Sequence, residues 1–150
     1  MTDHVAVAEA DVHAPPARVW AVLTEPEYLR EVWFGAEVSS DWIPGSQAIW
    51  RGVWEGKPYQ DSGEVLEVVP EQLLKFTHYS PLSGKPDIPE NHHTLTFTLT
   101  GAATSTHLTL TQDNNDTPEA ARHSEAMWQA LVAKVKVLSE SGTAARIGDI

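Results

Sequence analysis

Two histidines stand where imidazole chemistry would be useful. His78 closes the run Leu74-Lys75-Phe76-Thr77-His78, and His93 opens the run His93-Thr94-Leu95-Thr96-Phe97. Side chains of an extended chain alternate between faces, so each imidazole shares the face of the leucines and phenylalanines in its run. An imidazole titrates near neutral pH, which makes the two a candidate acid and base, or hydrogen-bonding groups for a polar part of a ligand. The same positions also suit two structural histidines hydrogen-bonded at strand ends. A metal centre is not expected. His92 and His93 point to opposite faces, there is no cysteine and no His-Glu-x-x-His pattern, and a histidine site needs three or four convergent ligands.

The larger set is aromatic. Six tryptophans, Trp20, Trp33, Trp42, Trp50, Trp54 and Trp128, are joined by Tyr59, Tyr79, Phe76 and Phe97. An indole is bulky and its N–H wants a partner. Indoles on an inward parity therefore either fill a core or line a pocket for a flat or greasy ligand. Trp33, Trp50, Trp54, Tyr79 and Trp128 are the candidates for the pocket and Trp20 for the core. Phe76, Phe97, Met127, Leu131 and the two histidines complete the expected lining. Of the carboxylates, Glu55, Asp61, Glu64 and Glu67 lie on middle strands beside Arg51. They read mainly as a solvated outer face, with an inward Glu64 or Glu67 pairing with Arg51 as the alternative. A glycine-rich phosphate loop, a Gly-x-Ser-x-Gly elbow and a dinucleotide fingerprint are all missing from the sequence, so no cofactor and no covalent mechanism is expected.

The elements that must hold these residues can be read from periodicity. Residues 4–13 alternate as a strand with one small-residue face. Pro15-Pro16 and Thr24-Glu25-Pro26 then start two short helices in tandem, the first over about 15–23, the second carrying Tyr28, Leu29, Val32 and Trp33 on one face. Segments 37–42, 47–54, 58–69, 72–80, 91–100 and 104–112 are rich in Val, Leu, Thr, Trp and Tyr and are separated by turn residues. Short connections imply an antiparallel meander. Asn115-Asp116-Thr117 matches a glycosylation sequon but reads as a helix start, with Thr117 as cap and Pro118 in the first turn. Ala121, Ser124, Met127, Trp128, Leu131, Val135 and Leu138 form one stripe of the helix that follows. Gly142 is its expected end.

One amphipathic sheet and one long amphipathic helix must bury their apolar faces on each other. The expected fold is α+β, a helix-grip in which a curved antiparallel sheet of about seven strands wraps a long C-terminal helix around an internal cavity. The expected organisation is one domain over 1–142 and a loose tail over 143–150.

The chain carries 10 basic and 21 acidic residues, a net charge of −11. That balance disfavours nucleic acid and anionic membranes as partners. Met1-Thr2-Asp3-His4 shows no signal-peptide pattern, and no apolar run approaches the ~20 residues of a membrane span, so a cytoplasmic location is expected.

The run Gly63-Glu64-Val65-Leu66-Glu67-Val68-Val69-Pro70, with Leu73, Leu74, Phe76 and Thr77 after it, resembles the central hairpin of START-like (SRPBCC) proteins. The subgroup suggested is that of the heat-shock-protein-90 ATPase activator homologues. Val19 to Trp33, Pro44-Gly45-Ser46 with Ala48, Trp50 and Gly52, and Thr94 to Thr111 resemble further motifs of the group in the same order, over roughly residues 5–140. The chain departs from the pattern at Ser46, where a second glycine is usual, and at His78, where an aromatic is usual. The resemblance implies a helix-grip fold and, across the superfamily, binding of lipids, polyketides or hormones. Three functions are therefore expected candidates. They are binding of a small hydrophobic or aromatic ligand, an enzyme of the cyclase, dehydratase or hydrolase kind using His78 and His93, and a module that stimulates a chaperone ATPase. A homodimer through a patch around Trp42 is a further expectation.

Overall fold

The computed structural model describes residues 4–148, with side chains described through Ser141. Strand β1 (His4–Val12) leads into helices α1 (Pro16–Thr24) and α2 (Pro26–Val32). Six strands follow: β2 (Glu37–Ser40), β3 (Gln47–Trp54), β4 (Lys57–Val69), β5 (Leu73–His78), β6 (His93–Ala102) and β7 (Ser105–Asn115). Helix α3 (Pro118–Gly148) closes the described chain. The seven strands form one antiparallel sheet in the order β1-β7-β6-β5-β4-β3-β2, a meander whose last strand returns to pair with the first. This is the expected helix-grip architecture, with two short helices after the first strand.

The local reasons are those the sequence offers. Pro16 and Pro26 sit at the first helical positions of α1 and α2, where a missing N–H costs nothing. Thr117 caps α3, its hydroxyl accepting from the Ala120 N–H at 3.0 Å. Gly63 lets β4 and β5 close up, since a Cβ there would lie 1.8 Å from the Thr77 carbonyl oxygen.

Three boundaries differ from expectation. Helix α3 passes through Gly142 rather than ending there. One interior glycine costs a helix only about 1 kcal/mol, and Ala144-Ala145-Arg146 beyond it are strong helix formers. The expected tail over 143–150 falls on residues whose side chains lie outside the described ones. Strand β7 runs on to Asn115 because that residue pairs with His4 of β1. Strand β5 stops at His78, and Tyr79 keeps only a bridge to Ser62.

The core joins the small inner face of β1 (Ala6, Ala8, Val12) to Leu95, Phe97, Leu99, Leu108 and Leu110 of β6 and β7, and to Leu131, Val132 and Val135 of α3. The polar side of α3 is not simply solvated. It runs along the open edge of β1, where Val7 N–H donates to Glu125 (3.2 Å), Glu9 exchanges two bonds with Gln129, Lys136 donates to the Asp11 carbonyl (2.6 Å) and His13 N–H donates to Glu140 (2.8 Å). An edge strand that would otherwise offer unpaired backbone groups is covered in this way.

Candidate functional site

Away from that core the sheet stands off α3, and a cleft of about 920 Å³ opens between them. The register explains what lines it. On the inner face Trp50 of β3 is paired with Asp61 of β4, and His78 of β5 with His93 of β6. Asp61 and His78 meet across β4 and β5, with Oδ2 and Nε2 3.0 Å apart. Gln112 and Asn115 of β7 continue the row to the far side. A band of polar side chains thus crosses the sheet at one end of an otherwise apolar inner face.

Trp33 is the hub of the aromatic wall. It caps the C-terminus of α2, and the chain then turns through Phe34 and Gly35, both at positive φ. Its ring lies 5.4 Å from Trp50 and 5.9 Å from Trp128, both edge-on, and is stacked at 6.4 Å on His78. Tyr59 reaches the same space by lying over Gly52, its cross-strand neighbour, where a Cβ would meet the phenol oxygen at 2.6 Å. Burial, and secondarily the charge of Asp61, pushes the Tyr59 phenol above its usual range. The mouth is apolar and exposed, formed by Phe34, Val53, Trp54, Leu82 and Met127. Lys85 and Asp116 bridge it at 2.7 Å. The Lys85 hydrogen bond, with its charge, holds the Asp116 carboxyl below its usual value.

Four buried polar atoms of the lining residues have no hydrogen-bond partner among the described residues. They are Trp50 Nε1, Trp128 Nε1, Asp61 Oδ1 and Gln112 Oε1. Other lining groups are satisfied: His93 Nδ1 bonds to the Asp113 carbonyl (2.8 Å), and Asn115 is held by His4, Gln112 and Ser124.

Of the residues expected at the site, Trp33, Trp50, Trp54, His78, His93, Met127, Trp128 and Leu131 line the cleft. Three do not. Phe76 and Phe97 are wholly buried behind it, stacked at 6.2 Å, because they sit further in along β5 and β6 than His78 and His93, where the sheet closes on the packed core. Tyr79 follows His78 in sequence and so leaves the sheet on the other face, where it packs on His92 and its hydroxyl donates to the Lys85 carbonyl. The outer-face reading of the carboxylates holds for Glu55, Glu64 and Glu67 and fails for Asp61. Glu64 and Glu67 are exposed, Arg51 pairs with Gln60 rather than with a carboxylate, and the inward acid is Asp61. Its parity with Gly63 and inward-facing Val65 was the available signal. Gln112, Asn115, Ser124 and His123 also line the cleft unforeseen. Trp42 itself is half-buried, its indole donating to the Thr24 carbonyl at 3.0 Å and its ring packing on Phe76, while Ile43 beside it is exposed. Among the described residues no group of three or more His, Cys, Asp and Glu side chains is placed to hold a metal ion.

A seven-stranded sheet gripping one long helix beside an open, ring-lined cleft defines a START-like protein of the helix-grip class. The chain belongs to the family described as "Activator of Hsp90 ATPase homolog 1-like protein", whose pattern matches residues 13–140. It is similar to the solution structure of ChR145 from Cytophaga hutchinsonii, at 40% identity over 96% of this chain and 99% of that one, with a TM-score of 0.83. Two more distant structures share the fold. One is the Aha1 dimer of Colwellia psychrerythraea (18% identity, 91% and 96% coverage, TM-score 0.70). The other is DynU16, a putative protein of the dynemicin biosynthetic locus (24% identity, 92% of this chain and 48% of that one, TM-score 0.73). No curated protein matches the chain.

Proposed function

We propose that this protein binds a small aromatic or hydrophobic molecule in the cleft between the sheet and α3. The observation that carries the reading is the wall of Trp33, Trp50, Trp128 and His78 around a space of about 920 Å³. That volume and that mixture of rings with a few polar groups are those of small-molecule sites. Titration of tryptophan fluorescence with a panel of aromatic compounds, polyketide-like phenols and lipids tests it, because three of the six indoles form the wall. Saturable changes support the reading. A folded protein whose emission answers to no member of the panel overturns it.

A second reading has one specific observation in its favour. The Asp61–His78 pair, with Nδ1 of His78 making no hydrogen bond among the described residues, is the arrangement of an oriented general base. It supports acid–base catalysis on a bound molecule, of the cyclase, dehydratase or hydrolase kind, and turnover lost in His78→Gln with binding kept would establish it. The chaperone-stimulating reading draws on the family's description alone. A homodimer has in its favour a structural neighbour described as a dimer, and sedimentation velocity decides it. A cytoplasmic location belongs to the same proposal; among the described residues no helix is long and apolar enough to cross a membrane.

A further inference from the structure

The four unpartnered atoms of the cleft specify more than an apolar guest. An indole N–H can only donate, so Trp50 and Trp128 require acceptors. The free oxygen of the Asp61 carboxylate requires a donor, and so does Gln112 Oε1. Leaving such groups buried and unmatched is unfavourable, and a plain hydrocarbon would leave all four unmatched.

Charge narrows the choice. Two carboxylates, Asp61 and Asp116, line the cleft. Among the described residues its one ammonium group, that of Lys85, is already engaged by Asp116 at 2.7 Å, and no arginine lines it. A fatty acid or aromatic carboxylate would bring its own anion beside Asp61, with no free lysine or arginine among the described lining residues to receive it and only the imidazoles of His78, His93 and His123 at hand. A hydroxyl serves both kinds of group from a single atom, since it carries one donor for a carboxylate or amide oxygen and two acceptor lone pairs for indole N–H groups.

Resting on the binding reading above, we propose that the cleft selects neutral hydroxylated aromatic compounds. The ligand hydroxyl donates to Asp61 Oδ1 and accepts from an indole N–H, while the ring lies against Trp33. The Asp61–His78 hydrogen bond fixes one carboxylate oxygen and leaves the other, Oδ1, without a partner among the described residues.

Three probes of one ring system test this by equilibrium dialysis: 2-naphthol, naphthalene and 2-naphthoate. The naphthol is expected to bind about tenfold or more tighter than either of the others. In Trp128→Phe, which keeps an aromatic ring and removes the donor, the ratio of naphthol to naphthalene affinity within the same variant shrinks several-fold. In Asp61→Leu the preference is lost. Circular dichroism establishes that each variant is folded, and the Trp128→Phe result stands alone if Asp61→Leu is not. Equal affinity for the three probes, or tightest binding of the naphthoate, overturns the proposal and leaves the binding reading intact. Failure of all three to bind overturns both.

Discussion

Asp61 and His78 meet at 3.0 Å across β4 and β5, and the carboxylate's other oxygen is buried without a partner among the described residues. A pair placed for stability would not leave an acceptor unmatched. Removing only the imidazole, in His78→Leu, leaves both carboxylate oxygens buried and unbonded and is expected to cost about 1–3 kcal/mol. Replacing both residues, in Asp61→Leu/His78→Leu, removes the polar burial altogether and is expected to match or exceed the parent stability. Urea denaturation of the three proteins decides it. A double variant less stable than the single one would make the pair a structural element instead.

Gly63 sits where β4 passes closest to β5. An alanine Cβ there would lie 1.8 Å from the Thr77 carbonyl oxygen, which is backbone and cannot swing aside. Gly63→Ala must force the strands apart beside the bulge between Val65 and Glu67. The expected loss is large for one methyl group, above about 3 kcal/mol. A loss under about 1 kcal/mol would mean that the sheet relaxes freely here.

The fold was legible because each element carries its own signal: alternation in Thr94 to Thr100, proline at the start of three helices, a capping Thr117. The site was legible only where parity was unambiguous, as for Trp50 and His78. Phe76 has the same parity as His78, and what separates core from cleft is how far the sheet stands off α3, a tertiary distance that no local pattern encodes. Asp61 was misjudged because a carboxylate normally faces water. Periodicity likewise cannot distinguish a helix face turned to solvent from one covering a strand edge, which is the role of Glu125, Gln129 and Glu140.

Trp42 joins the end of α1 to the sheet. Its indole N–H donates to the Thr24 carbonyl at 3.0 Å, and its ring packs 5.7 Å from Phe76. Trp42→Phe keeps much of the packing and removes the donor, so the expected cost is about 0.5–1.5 kcal/mol. Sedimentation should be unchanged, since the ring is not presented as a contact surface. A change in assembly state would restore Trp42 to an interface.

The filled and open halves of the grip should respond oppositely to truncation. Phe76 is fully buried, and Phe76→Ala is expected to lose about 3–5 kcal/mol. Trp54 is 58% exposed at the mouth, and Trp54→Ala is expected to alter stability by no more than about 0.5 kcal/mol while weakening capture of an aromatic probe. Thermal melts paired with probe titrations separate the two. A strongly destabilised Trp54→Ala would make the mouth part of the core.

The outer face of β1 and β7 carries the clearest pH dependence. His107 stands opposite Asp11, with Nδ1 2.7 Å from Asp11 and Nε2 3.0 Å from Glu9, an arrangement suited to an imidazolium. The Asp11 hydrogen bond chiefly raises the His107 pKa above its ordinary 6.5, against the opposing effect of burial and with further help from the charges of Asp11 and Glu9. The His107 hydrogen bond chiefly holds Asp11 below 3.8. The histidine's contribution is complete below about pH 6.5 and disappears as pH rises through its elevated folded value. The aspartate's is present above about pH 4 and disappears as pH falls through its depressed one. His107→Gln should therefore lower the melting temperature more near pH 5.5 than near pH 8.5, because the deficit shrinks as pH rises through the histidine's elevated folded value. Both side chains are well exposed, so the deficit should be small and should fade in about 1 M salt. A deficit equal at both pH values would assign His107 a packing role alone.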